Sequence, residues 1–197
     1  MISVFDYGAG NLRSVQNTLG AIGAEYQLIR DAAGIQRATK LILPGVGHFG
    51  QMMRALDQLQ VRDALVERIR ARIPFLGICL GLQALFESSE EAPAERGLGI
   101  YEGCVRRFQG DVRIPHMGWN QLEPRRATRL LHQAGEKPFV YFAHSYYCPV
   151  TPETAATCEY TVPYTAVLEH ANVYGVQFHP EKSGATGLQI VRNFVEC

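Results

Sequence analysis

In Gly77-Ile78-Cys79-Leu80-Gly81 a thiol stands two residues from a glycine on either side. This is the spacing of a nucleophile elbow, with sulfur in place of hydroxyl. A strand that turns sharply into a helix lifts the nucleophile clear of the chain. The same turn crowds positions 77 and 81 against neighbouring backbone, where only glycine fits. N–H groups at the start of the following helix point toward the sulfur and favour thiolate over thiol. The chemistry of such a group is addition to an acyl carbon, with a thioester as intermediate.

That chemistry needs a base, a group to orient the base, and donors for the developing oxyanion. Of six histidines, His179 is the best placed, because it emerges from the apolar run Val173-Tyr174-Gly175-Val176-Gln177-Phe178. Glu181 follows two residues later, beyond Pro180. In extended chain i and i+2 project to the same side, so this carboxylate can hold the far N–H of the imidazole and select its tautomer. Leu80, directly after the nucleophile, supplies one oxyanion N–H, and the turn Pro44-Gly45-Val46-Gly47 offers Val46 or Gly47 as another. Each motif alone has an inert reading: a buried cysteine among packing glycines, a structural histidine, an ordinary turn. Together they describe a Cys-His-Glu site.

The elements that must position these groups can be read from periodicity. Ile2 to Phe5, Glu25 to Ile29 and Lys40 to Leu43 read as short buried strands, and Ile73 to Leu76 leads into the elbow. Between them Leu12, Val15, Leu19 and Ile22 share a helical face, and Asp31 can cap a short helix. Two further helical segments fall near 50–59 and 61–72, and a helix is expected from Leu80 to Glu87. Strands alternating with helices at this length predict an open, mainly parallel, doubly wound α/β sheet with helices on both faces. Beyond the acidic loop 88–97 an additional, smaller antiparallel β region is expected, with segments at 103–108, 117–122, 139–146, 157–162, 165–169 and 173–178. One helix is expected near 128–134, and a last one carries Leu188, Val191, Phe194 and Val195. No repeat or linker interrupts residues 1–197, which read as one domain.

Composition narrows the function. Lysine plus arginine and aspartate plus glutamate both total 19, so the net charge is zero, which argues against nucleic acid or an anionic membrane as partner. Near-neutrality mildly favours association with another protein. The five cysteines are an odd, widely spaced set without C-x-x-C, which points to a reducing, cytoplasmic setting rather than to disulfides or zinc. The N-terminus lacks the pattern of a signal peptide, and no apolar run is long enough to span a bilayer. Gly8-x-Gly10 lacks the third glycine of a dinucleotide turn, since Arg13 stands there. Glu90, Glu91 and Asp111 have no histidine at ligand spacing, so neither metal nor cofactor is expected. By composition alone, Trp119, Tyr141, Tyr146 and Tyr147 read as core residues of half-buried strands.

The G-I-C-L-G-L-Q stretch and His179-Pro180-Glu181 resemble the class I, triad-type glutamine amidotransferases. Within that family Asp6–Asn11, Pro44–Phe49, Pro115–Asn120, Tyr141–Tyr147 and Gln177–Ser183 are similar to the glutaminase subunits of imidazole glycerol phosphate synthase. The resemblance implies that Cys79 attacks the side-chain amide of glutamine with help from His179 and Glu181. It implies that Gly47, Gln83, Glu91, Ser145 and Tyr146 hold the substrate, with Glu91 suited to the α-ammonium group. It also implies a partner, a cyclase subunit folded as a (β/α)8 barrel, met near Asn11, Met117, Trp119, Tyr141 and Lys182. The barrel would take ammonia to make imidazole glycerol phosphate and an aminoimidazole carboxamide ribonucleotide. A peptide flip in the Pro44–Gly47 turn, triggered from the cyclase, would complete the oxyanion hole. The competing functions are a glutaminase subunit of another synthase, a stand-alone γ-glutamyl thiol hydrolase, and a non-catalytic binding module.

Overall fold

The computed structural model describes residues 1–197. In chain order the first half comprises β1 (Ile2–Phe5), α1 (Leu12–Ala21), β2 (Tyr26–Ile29), α2 (Ala32–Arg37), β3 (Leu41–Gly45), α3 (Phe49–Gln58), α4 (Arg62–Arg70), β4 (Phe75–Cys79) and α5 (Leu80–Gln83). The second half adds β5 (Phe86–Ser89), β6 (Tyr101–Arg107), β7 (His116–Gln121), β8 (Glu123–Pro124), β9 (Phe139–His144) and β10 (Tyr146–Tyr147). It closes with β11 (Thr154–Glu159), β12 (Pro163–His170), β13 (Val173–Val176) and α6 (Gly184–Glu196).

Eight strands form one sheet in the order β2-β1-β3-β4-β13-β12-β11-β8. The five from β2 to β13 are parallel and the last three antiparallel. Successive residues of the parallel strands serve opposite faces, so these strands read as continuous apolar runs. Phe5, Leu41, Leu43 and Phe75 pack with α3 and α4, while Ile2, Val4, Ile42, Leu76 and Ile78 pack with α1 and α6. The two cores contain 27 and 25 buried residues, so both faces are covered almost equally, as a doubly wound sheet requires. No helix is long and apolar enough to cross a membrane.

Several expectations hold in detail. Asp31 caps α2, its carboxylate accepting from the Gly34 N–H at 2.6 Å. The last helix forms and buries Val191 and Phe194 as expected, but Ile190 rather than Leu188 and Val195 completes the buried face. Other expectations need correction. The helix after the elbow has only four residues, because Phe86 turns inward and residues 86–89 pair with β6 instead. The strand before the Pro44 turn runs on through Gly45. The β1 ladder on that side ends at Val4–Ile42, so the missing proline N–H leaves no acceptor unserved. Residues 128–134 form turns rather than a helix. There the Glu169 carboxylate accepts from the N–H groups of Arg129 and Leu130, and the Asn193 amide donates to the carbonyls of Leu130 and His132. Side chains distant in sequence satisfy the groups that helix bonds would have used. Of the later β segments, those at 154–176 extend the main sheet, leaving the β7–β9 hairpin and the small β10-β6-β5 sheet apart from it.

Candidate active site

Cys79 ends β4 with φ 53° and ψ −106°, a conformation that non-glycine residues rarely adopt. The surroundings enforce it. A Cβ on Gly81 would lie 1.9 Å from the Leu43 carbonyl oxygen, and one on Gly77 would lie 2.5 Å from the Gly81 oxygen. Both glycines are therefore steric requirements of the elbow. Because α5 is a single turn, its contribution at the sulfur is a few free N–H groups rather than a long helix dipole.

β13 lies beside β4 in parallel register, with Gly175 opposite Gly77 and Val176 opposite Ile78. The chain leaving β13 therefore passes the sulfur, and this brings together groups a hundred residues apart. His179 Nδ1 and Glu181 Oε1 are 2.9 Å apart, with both side chains almost wholly buried. Asn11 Nδ2 donates to the same oxygen at 3.3 Å, while Glu181 Oε2 is buried without a partner. The segment is pinned to β9: the His179 N–H donates to the Tyr141 carbonyl, and Ser183 Oγ accepts from the Tyr141 N–H. Burial alone would disfavour the imidazolium. Hydrogen bonds and negative charge from Cys79 and Glu181 outweigh it and push the His179 pKa up to about 10. The ring is thus charged at neutral pH and can act as a proton donor.

Cys79 and His179 open into a cavity of about 400 Å³, a volume suited to a small-molecule ligand. Val46, Gly47, Leu80, Gln83, Glu91, Ser145 and Tyr146 all line it, so the expected oxyanion and substrate positions converge on one space. Gly47 has φ +96° at the turn's end. Glu91 Oε2 accepts from the Phe49 N–H at 2.7 Å, which ties the carboxylate to the start of α3. Gln83 directs Nε2 to the Tyr146 carbonyl at 2.8 Å and to Gln177 Oε1 at 3.1 Å. Both amide protons are committed, so Oε1 is the atom it can present to a ligand.

Of the expected partner-face residues, Met117 and Trp119 are 59% and 56% exposed on β7. Trp119 faces Tyr141 edge-on across the hairpin, and Lys182 Nζ sits 5.7 Å from the centre of the Tyr141 ring. The compositional reading of Trp119 as core is corrected here: the hairpin's inner face is filled by its alternate residues His116, Phe142 and His144. Asn11 instead has its side chain on the Glu181 carboxylate.

Sequence reasoning missed a buried polar chain behind the cavity. His144 Nδ1 lies 2.8 Å from the Tyr146 carbonyl, which can only accept, so Nδ1 carries the proton. His144 Nε2 is 3.3 Å from Tyr164 Oη, which is 3.3 Å from His116 Nδ1. Burial pushes the pKa of His116 down to about 4 and that of His144 to about 3, so both rings are neutral. Gln177, fully buried, was missed too. A polar residue ending an apolar strand two positions before His179 was the available signal. Burial pushes the Cys158 thiol up to about 11 and holds the Cys148 thiol well above its ordinary value, so both are poor nucleophiles at neutral pH. No group of three His, Cys, Asp or Glu side chains is disposed to hold a metal ion.

Comparison with known proteins adds to this geometry. A family profile described as glutamine amidotransferase class-I matches residues 3–197. The chain is 46% identical over 197 residues to the imidazole glycerol phosphate synthase subunit HisH of Methanothermobacter thermautotrophicus, covering all of this chain and 98% of that one. Against the subunit of the same name from Deinococcus radiodurans identity is 43%, covering 98% of this chain and 92% of that one. Among solved structures, a glutamine amidotransferase superposes with a TM-score of 0.77 at 19% identity, covering 99% and 97% of the two chains. PurLQS from Thermotoga maritima gives 0.77 at 18% over the same shares, which shows a common fold.

Proposed function

Because the chain belongs to the class-I glutamine amidotransferase family, and within it to the imidazole glycerol phosphate synthase subunits it matches end to end, we propose that Cys79, His179 and Glu181 hydrolyse the side-chain amide of glutamine. The chain is an enzyme, the glutaminase subunit of imidazole glycerol phosphate synthase in histidine biosynthesis. The observation that carries the triad assignment is that Cys79 and His179 line one cavity of about 400 Å³ while the Glu181 carboxylate holds the far nitrogen of the imidazole at 2.9 Å.

In this reading the Cys79 thiolate adds to the amide carbon, and the carbonyl oxygen takes the negative charge. The Leu80 N–H and an N–H of Val46 or Gly47 stabilise that oxyanion, each worth roughly 10²–10³ in rate. The charged His179 gives its proton to the leaving nitrogen, the C–N bond breaks, and ammonia departs. Glu181 keeps the ring in register throughout. His179, now neutral, takes a proton from water as the water oxygen attacks the thioester. Glutamate leaves and Cys79 is regenerated. Glu91 suits the α-ammonium group of glutamine, and Gln83, Gly47 and the backbone at Ser145 and Tyr146 complete its seat.

We assign the ammonia to a (β/α)8-barrel cyclase partner in the cytoplasm. Its docking face is the outer side of the β7–β9 hairpin, with Met117, Trp119, Tyr141 and Lys182, and with Asn11 nearby. The test is glutamate release by the purified chain alone, and then with that cyclase and its ribonucleotide ligand. Strong stimulation by the complex is expected, with Cys79→Ser lowering the rate by about 10⁴-fold or more. Rapid hydrolysis without a partner would instead indicate a stand-alone γ-glutamyl hydrolase. Equal hydrolysis by Cys79→Ser would end the nucleophile assignment.

A further inference from the structure

We propose that Gln177 is a further residue of the reaction centre: its side-chain amide donates a hydrogen bond to the Cys79 sulfur and holds it as an oriented thiolate. Gln177 is completely buried, and its Nε2 lies 3.6 Å from Cys79 Sγ. Position alone does not say which end of the amide faces the sulfur, but the surrounding bonds do. The Tyr146 carbonyl can only accept, so Gln83 must turn its Nε2 toward it. The second proton on that nitrogen then points to the Gln177 oxygen, 3.1 Å away. With its oxygen so engaged, Gln177 has its N–H group toward Cys79. The orientation is passed along three residues from one backbone carbonyl.

A thiolate accepts a hydrogen bond more strongly than a thiol does, so this donor favours the nucleophilic form. His179 can supply a proton to the sulfur and so return it to the thiol; Gln177 cannot. The amide therefore stabilises charge without quenching it. The same side chain braces Gln83, which lines the cavity, so one residue couples the sulfur to the substrate seat. The next strand clamps its backbone, the Gln177 N–H donating to the Ala166 carbonyl at 2.9 Å. This inference rests on Cys79 being the nucleophile of the proposed reaction.

The test reads the sulfur directly. The full chain is alkylated with iodoacetamide across a pH series, and modification of the Cys79 peptide is quantified by mass spectrometry, apart from the other four cysteines. Gln177→Leu removes the donor. Gln177→Met, unbranched, of similar length, uncharged and without an N–H, provides a second variant should the leucine variant fold poorly. Both are expected to move the alkylation profile to higher pH and to slow Cys79 modification at pH 7 by about tenfold, the usual size of a hydrogen bond to a charged group. Glutamine turnover should fall chiefly in kcat, with a smaller rise in KM from the loosened Gln83. Profiles overlaying that of the parent chain in a folded variant would overturn the proposal. Because alkylation needs no glutamine, a parent chain that alkylates readily but releases no glutamate even with the cyclase and its ribonucleotide ligand would count against the glutaminase reading alone.

Discussion

Two histidine environments flank the same cavity and behave oppositely. At the elbow, His179 is buried yet its pKa rises to about 10, because a sulfur and a carboxylate both face it. On the inner side of the β7–β9 hairpin, His116 and His144 are buried among aromatic rings without an anionic partner, and their pKa values fall to about 4 and about 3. Burial acts in the same direction on all three. What differs is whether negative charge accompanies it. The elbow is organised to keep a proton in place for chemistry, whereas the hairpin's inner rings are organised as a neutral wall. The hairpin's outer face is different again, leaving Met117 and Trp119 in solvent.

The contrast is broken most strongly with acid. Unfolded, His144 takes up a proton near pH 6.5, but folded it does so only near pH 3. Its contribution to stability is therefore complete above pH 6.5 and is lost as pH falls toward 3, at about 1.4 kcal/mol per pH unit. By pH 4 the chain should have lost about 3 kcal/mol through this ring alone, with His116 acting in the same direction. His144→Gln should flatten the acid limb of a Tm-against-pH curve, and an unchanged limb would contradict the neutral-wall account. His179 has the opposite sign: its contribution is complete below pH 6.5 and fades as pH rises through about 10.

An effect as large as that of His144 alone is expected at the elbow itself. Gly81→Ala forces a methyl group onto the Leu43 carbonyl, and overpacking against backbone should cost about 3 kcal/mol. Denaturant unfolding measures it, and a loss below about 1 kcal/mol would mean the elbow can relax. The smallest effect on the fold is expected from Trp119→Ala, since more than half of the residue is exposed. Stability should stay within about 0.5 kcal/mol. Affinity for the cyclase, read by titration calorimetry, should weaken by about 2 kcal/mol, as a central aromatic anchor does. Unaltered affinity would remove the hairpin's outer face from the docking surface.

Much of the site was legible because its rules are local. Gly77 and Gly81 follow from the shape of a single turn. The pairing of Glu181 with His179 was legible from their two-residue spacing, but the extended chain expected between them is corrected: Pro180–Lys182 is a 3-10 turn, and that turn brings Glu181 Oε1 to 2.9 Å from His179 Nδ1. Asp31 at the start of a helix is legible for the same reason. The failures share the opposite cause. Residues 128–134 carry helix-like spacing, but Glu169 and Asn193 satisfy their backbone groups from other elements. Leu80–Glu87 is rich in helix formers, yet pairing of residues 86–89 with β6 overrides that preference. Trp119 looked like core until β7 and β9 paired in a register that turned it outward together with Tyr141.

By itself the sequence determined a strained thiol at a strand-to-helix turn, a histidine with a carboxylate two residues away, and a glycine-rich turn able to offer an N–H. Each depends on sterics within a few residues of chain, which any sequence carries with it. Only the tertiary structure decided that these pieces meet, because β13 inserts beside β4 in a register that no local pattern encodes. The same register sets Gln177 against the sulfur and makes one carbonyl, that of Tyr146, the reference from which the amides of Gln83 and Gln177 take their direction.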